Sequence, residues 1–298
     1  MEKCSVKGII TAMVTPFHDD GAVDYHAVAQ LADWHCGKSD ALFPLGTSGE
    51  GMLLTYEERC LVIKCVTETV SGRMPIIAHT GAITTAESIK LTEHAVKAGV
   101  VAVSAITPYY FRLGEKEITE HLISVAKAAG ETPFFLYNNP ATAGNVISPE
   151  IVRTVRDAAP NFSGIKDSSK SIDTLIAFKE LLLKGDSLFV GGDRIFQKAL
   201  SVGVNGAVST VSNLYPELFR KIYDCYIAGD EKGASEAQSA VNRVLDILTS
   251  YPYFAAVKYM LKTRNLPETN IRPPVGALSN QDKYQLESRL EYMEISNE

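Results

Sequence analysis

Eight short apolar runs, separated by stretches of helical period, constrain this 298-residue chain more than any other feature. The runs are GIITAMVTP (8–16), ALFPLG (41–46), PIIAHTG (75–81), VVAVSAITP (100–108), PFFLYNNP (133–140), FSGIKDS (162–168), SLFVGGD (187–193) and NGAVSTVSN (205–213). Between them lie stretches such as TYEERCLVIKCVTETV and TAESIKLTEHAVKAG. In the second, Ile89, Ala95 and Val96 share a helical face, with Glu and Lys opposite. Asp24, Thr55 and Ser148 stand where N-caps belong, and Pro149 follows at a first helical position. Gly72, Gly99, Gly130 and Gly185 mark predicted helix ends. Regular strand–helix alternation implies a parallel sheet, and eight units imply closure into a (β/α)8 barrel, the TIM-barrel form of the α/β class. A doubly wound open sheet would need fewer units, and its usual GxGxxG after the first strand is absent. The barrel is assigned to residues 1–230. Residues 231–298 carry three helical stretches with no strand between them, and read as an extension packed on the barrel or on a neighbouring subunit.

Composition narrows the function. Hydrophobic residues make up 46% of the chain, enough for a large core, and the net charge of -6 leaves no basic face for nucleic acid. The five cysteines, Cys4, Cys36, Cys60, Cys65 and Cys225, form no CxxC pair and no zinc spacing, which fits free thiols in a reducing cytosol. The first residues show no secretory pattern, and no apolar run approaches the roughly 20 residues that span a bilayer. A cytoplasmic protein without membrane or nucleic-acid partners is expected.

In such a barrel the chemistry sits at the C-terminal ends of the strands. Here those ends read GTSGEG, TPYYF, LYNNPATAG, IKDSS and GGDR, a polar and aromatic set converging on one rim. Alternation puts Phe162, Gly164 and Lys166 on one face of strand 6, and Phe135 and Tyr137 on one face of strand 5. Leu136 and Ile165 suit the outer helices, so Tyr137 and Lys166 point inward on adjacent strands. An inward lysine loses solvation, which favours the neutral amine, and a neutral amine can attack a ketone to form an imine. A tyrosine beside it can move protons. The competing reading is an exposed lysine at a strand end, as most lysines are. GTSGEG is either a tight structural loop or a small anion pocket, with the Thr47 and Ser48 hydroxyls and backbone N–H groups sized for a carboxylate. Adjacent tyrosines such as Tyr109 and Tyr110 usually serve packing, and His79 has no partner in view, so it reads as structural. No metal constellation emerges.

Together these motifs resemble the pyruvate-dependent class I lyases of the dihydrodipicolinate synthase / N-acetylneuraminate lyase family. The likeness runs over the whole chain, from GIITAMVTPF through PLGTSGEGMLLTYEER, TPYYF, LYNNPATAG and GIKDSS to GGDRIFQKALSVGVNGAVS. It implies that Lys166 forms a Schiff base with pyruvate or another 2-oxo acid and that Tyr137 is the general acid/base. It also implies that Thr47 and Ser48 hold the carboxylate and that Val208 lines the pyruvate pocket. Tyr110 would reach into a neighbouring subunit's site to join a relay with Thr47 and Tyr137. The assembly implied is a homotetramer, a dimer of dimers, and no metal or organic cofactor is needed.

Two departures bear on substrate. The lysine-pathway synthases typically carry an arginine two residues after the proline of YNxP, suited to bind a carboxylate bidentately. Here Thr142 holds that position, and Ala143 replaces a threonine common to several subfamilies. Ser168, Asp193 and Arg194 fall where the sialic-acid-cleaving branch contacts substrate hydroxyls. A polyol chain, as in a 2-keto-3-deoxy sugar acid, suits this set, and Arg194 would also suit a distal carboxylate. The structural reading is that Asp193 and Arg194 cap the next helix. The expected activity is cleavage or formation of a 4-hydroxy-2-oxo acid to or from pyruvate and an aldehyde. The alternatives are 4-hydroxy-tetrahydrodipicolinate synthase, N-acetylneuraminate lyase, or an idle barrel that senses a keto acid.

Overall fold

The computed structural model describes residues 6–295. The apolar runs form eight parallel strands: β1 (Gly8–Thr11), β2 (Ala41–Leu42), β3 (Ile77–His79), β4 (Ala102–Ile106), β5 (Phe134–Asn138), β6 (Phe162–Asp167), β7 (Ser187–Val190) and β8 (Gly206–Ser209). Each pairs with its sequence neighbours, and β8 pairs with β1. A bridge between Leu42 and Ile76 joins the remaining edges, so the ring closes. The helices outside it are α1 (Tyr25–His35), α2 (Tyr56–Val70), α3 (Thr85–Lys97), α4 (Glu115–Ala128), the single turn α5 (Pro140–Ala143), α6 (Pro149–Ala158), α7 (Ile172–Leu181), α8 (Phe196–Ser201) and α9 (Pro216–Ile227). The C-terminal extension supplies α10 (Glu231–Leu248), α11 (Tyr253–Met260) and α12 (Asn280–Ile295). Asp24, Thr55 and Ser148 cap α1, α2 and α6, and Thr55 forms a full capping box with Glu58.

Alternation divides the strand side chains between two cores. Ile10, Phe43, Ile77, Ile106, Phe135, Tyr137, Phe189 and Val208 fill the barrel, while Ile9, Leu42, Val103, Leu136, Ile165 and Leu188 pack under the helices. Phe162 corrects the sequence reading. It packs with the outer cluster, because a register shift lets Phe134 face Phe162 while Phe135 faces Gly164. Ser163 is the extra residue of this bulge, and alternation restarts at Gly164. Gly164 has φ +141, and a Cβ there would sit 1.9 Å from the Ser187 carbonyl oxygen on β7, so only glycine fits.

Two smaller expectations differ. In α3 the buried face is Ser88, Leu91, Thr92 and Ala95, with Ile89 and Val96 on its flanks. The buried hydroxyls are satisfied, Thr92 by Thr80 at 2.7 Å and Ser88 by the Ala82 N–H at 2.9 Å. Helix α7 stops at Leu181, ahead of Gly185, and Gly185 sits in the following turn. Cys4 lies outside the described residues. The other four cysteines are free thiols.

In the extension, α10 lies along α9 and α12 packs on α10 and α11. Tyr253 and Phe254, at the start of α11, line cavities at the strand ends. Among the described residues no helix is long and apolar enough to cross a membrane.

Candidate active site

The bulge restores the inward phase just before Lys166. Lys166 pairs in register with Tyr137 on β5 and Phe189 on β7, and its side chain is 5% exposed. Its amine lies 3.9 Å from the Tyr137 ring centroid and 4.3 Å from that of Phe43. Two aromatic faces therefore replace water around the nitrogen. The exposed-lysine reading is excluded for this chain.

Tyr137 is equally enclosed. Its ring meets Phe43 and His79 edge-on, with centroids 5.9 and 5.7 Å away. Its hydroxyl lies 3.2 Å from Thr47 Oγ1 and accepts from Asn139 Nδ2 at 3.1 Å. Burial pushes the phenol's pKa up, but the Lys166 charge and the bonds to Thr47 and Asn139 outweigh it, so it falls below the ordinary tyrosine value. A lowered phenol beside an amine is what a proton carrier at an imine needs. Asn139 went unassigned in sequence terms, although it lies in the NNP of β5. It precedes the single turn α5 without capping it, which frees its amide for the phenol.

His79 is buried, with Nδ1 3.1 Å from the Leu45 carbonyl and Nε2 accepting the Ile106 N–H at 3.3 Å. Burial, Arg59 and Lys166 hold its pKa well below the ordinary value. It is a neutral brace between the β2 loop and β4. Arg59 lies behind it, donating to the His79 and Gly81 carbonyls at 3.0 Å.

Ser48 is buried beside Thr47, with its hydroxyl 2.5 Å from Thr210 Oγ1. Val208 forms part of the inner wall. Two cavities open at the strand ends. One, of about 440 Å3, is lined by Lys170, Asp193, Arg194, Thr210 and Tyr253 among others. The other, of about 290 Å3, has Thr47, His79 and Tyr109 on its wall, with a largely apolar remainder that includes Met52, Ile106, Ala143 and Phe254. Thr142 lines the second cavity and is exposed.

In the larger cavity, burial pushes the Asp193 carboxyl up to about 7, against the pull of Ser209, the Val211 N–H, Lys166 and Lys170. Tyr253 is raised by burial and by Asp193, and it bonds to Thr210. Hydroxyls thus run from Ser48 through Thr210 to Tyr253. Ser168 is buried at the end of β6. Arg194, at the cavity edge, donates to Asp246 of α10 at 2.7 Å. Asp193 and Arg194 begin a 3-10 turn after β7, and both line the larger cavity.

Tyr109 turns in against the barrel core, while Tyr110, at φ +80, turns out and is 83% exposed beside Phe111. Tyr110 touches neither Thr47 nor Tyr137 of its own chain. The Arg112 guanidinium lies against Gly144, just after the Thr142 turn. It does not line either cavity.

The sequence matches that of the Dihydrodipicolinate synthetase family over residues 5–293. The chain belongs to that family. It is 33% identical over 279 residues to a 4-hydroxy-tetrahydrodipicolinate synthase of Azoarcus sp., covering 92% of this chain and 94% of the relative. It is 31% identical over 279 residues to an N-acetylneuraminate lyase of Rhizobium meliloti, covering 93% and 92%. A solved prophage protein of the dihydrodipicolinic acid synthase family from E. coli K12, in complex with pyruvate, superposes with a TM-score of 0.92 at 27% identity, covering 98% and 99%. Dihydrodipicolinate synthetase family members are pyruvate-dependent lyases that work through a lysine Schiff base and need no cofactor, and this chain is such a lyase.

Proposed function

We propose that this lyase interconverts a 2-keto-3-deoxy sugar acid with pyruvate and an aldehyde, and that Lys166 is its Schiff-base residue. The observation that carries the substrate class is the division of the rim. Asp193, Thr210 and Tyr253, with Lys170 and Arg194, offer polar groups to a hydroxylated chain on one side, while the Thr142 side is mostly apolar, with Glu50 but no cation in its lining. A synthase accepting an aldehyde with its own carboxylate would want a cation there.

The Lys166 amine attacks C2 of the keto acid, whose carboxylate rests on Thr47, Ser48 and neighbouring N–H groups. Water leaves and a protonated imine remains. Tyr137, as phenolate, takes the proton of the C4 hydroxyl. The C3–C4 bond breaks, its electron pair forms the C2=C3 enamine, and the aldehyde departs. Protonation at C3 and hydrolysis release pyruvate and the amine. Val208 would wall the pyruvate methyl group, and Ser168 and Asp193 would meet the substrate's hydroxyls. Arg194 would border the hydroxylated chain while its guanidinium stays on Asp246, and Thr142 would meet the apolar side.

We also infer a homotetramer in which the outward Tyr110 of one copy enters the relay of another, acting in a cytoplasmic setting. The exposed Tyr110–Phe111 pair supports this, since two large rings in edge-on contact in the open, with Tyr110 in left-handed backbone, are an unusual surface feature.

Incubation with pyruvate, borohydride reduction and intact-mass measurement test the core of the proposal. An adduct is expected on the wild type and none on Lys166→Ala. An adduct that survives Lys166→Ala would refute it. Turnover is expected with 2-keto-3-deoxygluconate or its galactose analogue. Turnover confined to N-acetylneuraminate, or to pyruvate with aspartate semialdehyde, would overturn the substrate class.

A further inference from the structure

The loop between β2 and α2 is strained at both ends. Leu45 has φ +65 and Glu50 φ +52, left-handed values that non-glycine residues rarely adopt. Between them lie Gly46, Thr47, Ser48 and Gly49. Such backbone persists only where its surroundings over-determine it. At the first end, His79 Nδ1 meets the Leu45 carbonyl at 3.1 Å. Gly51 is packed so closely that a Cβ on it would sit 2.0 Å from the Leu45 oxygen. At the second end the Glu50 N–H closes a turn onto the Thr47 carbonyl at 3.1 Å.

The Glu50 side chain dives inward and pairs with Lys258 of α11, both fully enclosed at 4% and 0% exposure. Lys258 also donates to the Asn270 carbonyl at 2.9 Å and lies 4.1 Å from the Phe17 ring centroid. Glu50 accepts the Arg272 N–H at 3.3 Å, and the Arg272 guanidinium grips both Glu58 oxygens at 2.7 Å, on the first turn of α2. The C-terminal extension thus holds the loop and the helix that follows it.

A buried ion pair is a poor way to gain stability, because an apolar pair of equal volume does as well. Its advantage is that it fixes one geometry. We propose that the Glu50–Lys258 pair is a latch that keeps the β2–α2 loop shaped as a carboxylate cradle, making both residues positioning residues for the keto acid. This rests on the reading above in which Thr47 and Ser48 receive that carboxylate. Without the latch, Glu50 relaxes to an ordinary backbone angle, its turn onto Thr47 opens, and the two hydroxyls move off the carboxylate.

Pyruvate titration with borohydride trapping and intact-mass detection reads this directly. The proteins are the wild type, Glu50→Gln, Lys258→Arg and the Glu50→Gln/Lys258→Met double variant, which leaves no uncompensated charge where the pair was. The half-saturating pyruvate concentration is expected to rise roughly 10-fold or more in Glu50→Gln and in the double variant. The adduct plateau is expected to stay within about twofold of the wild type, and Lys258→Arg, which keeps the charge, to shift half-saturation less than Glu50→Gln does. A purely structural role lowers the plateau through unfolding and leaves half-saturation in place. Half-saturation within twofold of the wild type in the folded double variant would overturn the latch. Absence of an adduct on the wild type itself would overturn the site reading on which the latch rests.

Discussion

Replacing Tyr137 by Phe removes one oxygen and leaves the ring. The edge-on contacts with Phe43 and His79 and the amine over the ring face survive, because none involves the hydroxyl. What disappears is the partner of Thr47 Oγ1 at 3.2 Å and of Asn139 Nδ2 at 3.1 Å. Asn139 is buried, so its orphaned amide costs about 1–3 kcal/mol. A typical stability of 5–15 kcal/mol absorbs that, and the variant folds. The chemical loss is larger. A positioned acid/base is worth roughly 10²–10⁴-fold, or about 3–5 kcal/mol of barrier. The assay avoids the unknown aldehyde. Enamine formation exchanges the C3 protons of pyruvate for deuterium in D2O, which proton NMR follows. Exchange is expected to fall roughly 10²–10⁴-fold, while long incubation with borohydride still marks Lys166. Exchange within about threefold of the wild type, in a folded variant, would refute the role given to the phenol.

Other outcomes probe the surroundings. Because burial pushes Asp193 up to about 7, the folded state keeps its proton after the unfolded chain has released one, so this residue costs stability as pH rises from about 4 through 7. Asp193→Asn should therefore gain melting temperature relative to the wild type across that window, and a flat difference curve would contradict the burial argument. Arg194→Ala removes only an exposed ion pair with Asp246, so stability should change by less than about 1 kcal/mol and KM by less than about threefold. A tenfold rise in KM would return the guanidinium to the substrate. Gly164→Ala drives a methyl group into the Ser187 carbonyl, so soluble yield and melting temperature should collapse, and a wild-type melt would disprove the close approach.

The strands were legible because each is an apolar run bounded by Gly, Pro or Asn, and eight of them leave little choice of architecture. The directions of Lys166 and Tyr137 were legible from alternation alone. The argument succeeded at those residues although it failed at Phe162, since the bulge at Ser163 lies upstream of the phase that matters. The ion pair of Arg194 was not legible, because its partner Asp246 lies 52 residues on, in a helix that only the fold brings alongside. Asn139 sat in a motif already noted, yet only the fold brings its amide to the phenol. Tyr253, Lys258 and Arg272 were invisible for a related reason: a helical extension without strands gives no hint that it folds back over the rim.

The two cavities at the strand ends are walled by different parts of the chain. The segments proposed to meet the keto acid are the loop after β2, β5 and β6, whereas the larger cavity is shaped by the turn after β7, by Thr210 and by the start of α11. Substitutions can thus accumulate where the aldehyde is chosen without disturbing the carbon–carbon chemistry. Such a division lets one scaffold diversify its menu of acceptors while inheriting a single catalytic engine, and relatives bearing both synthase and lyase names are what that division would leave behind.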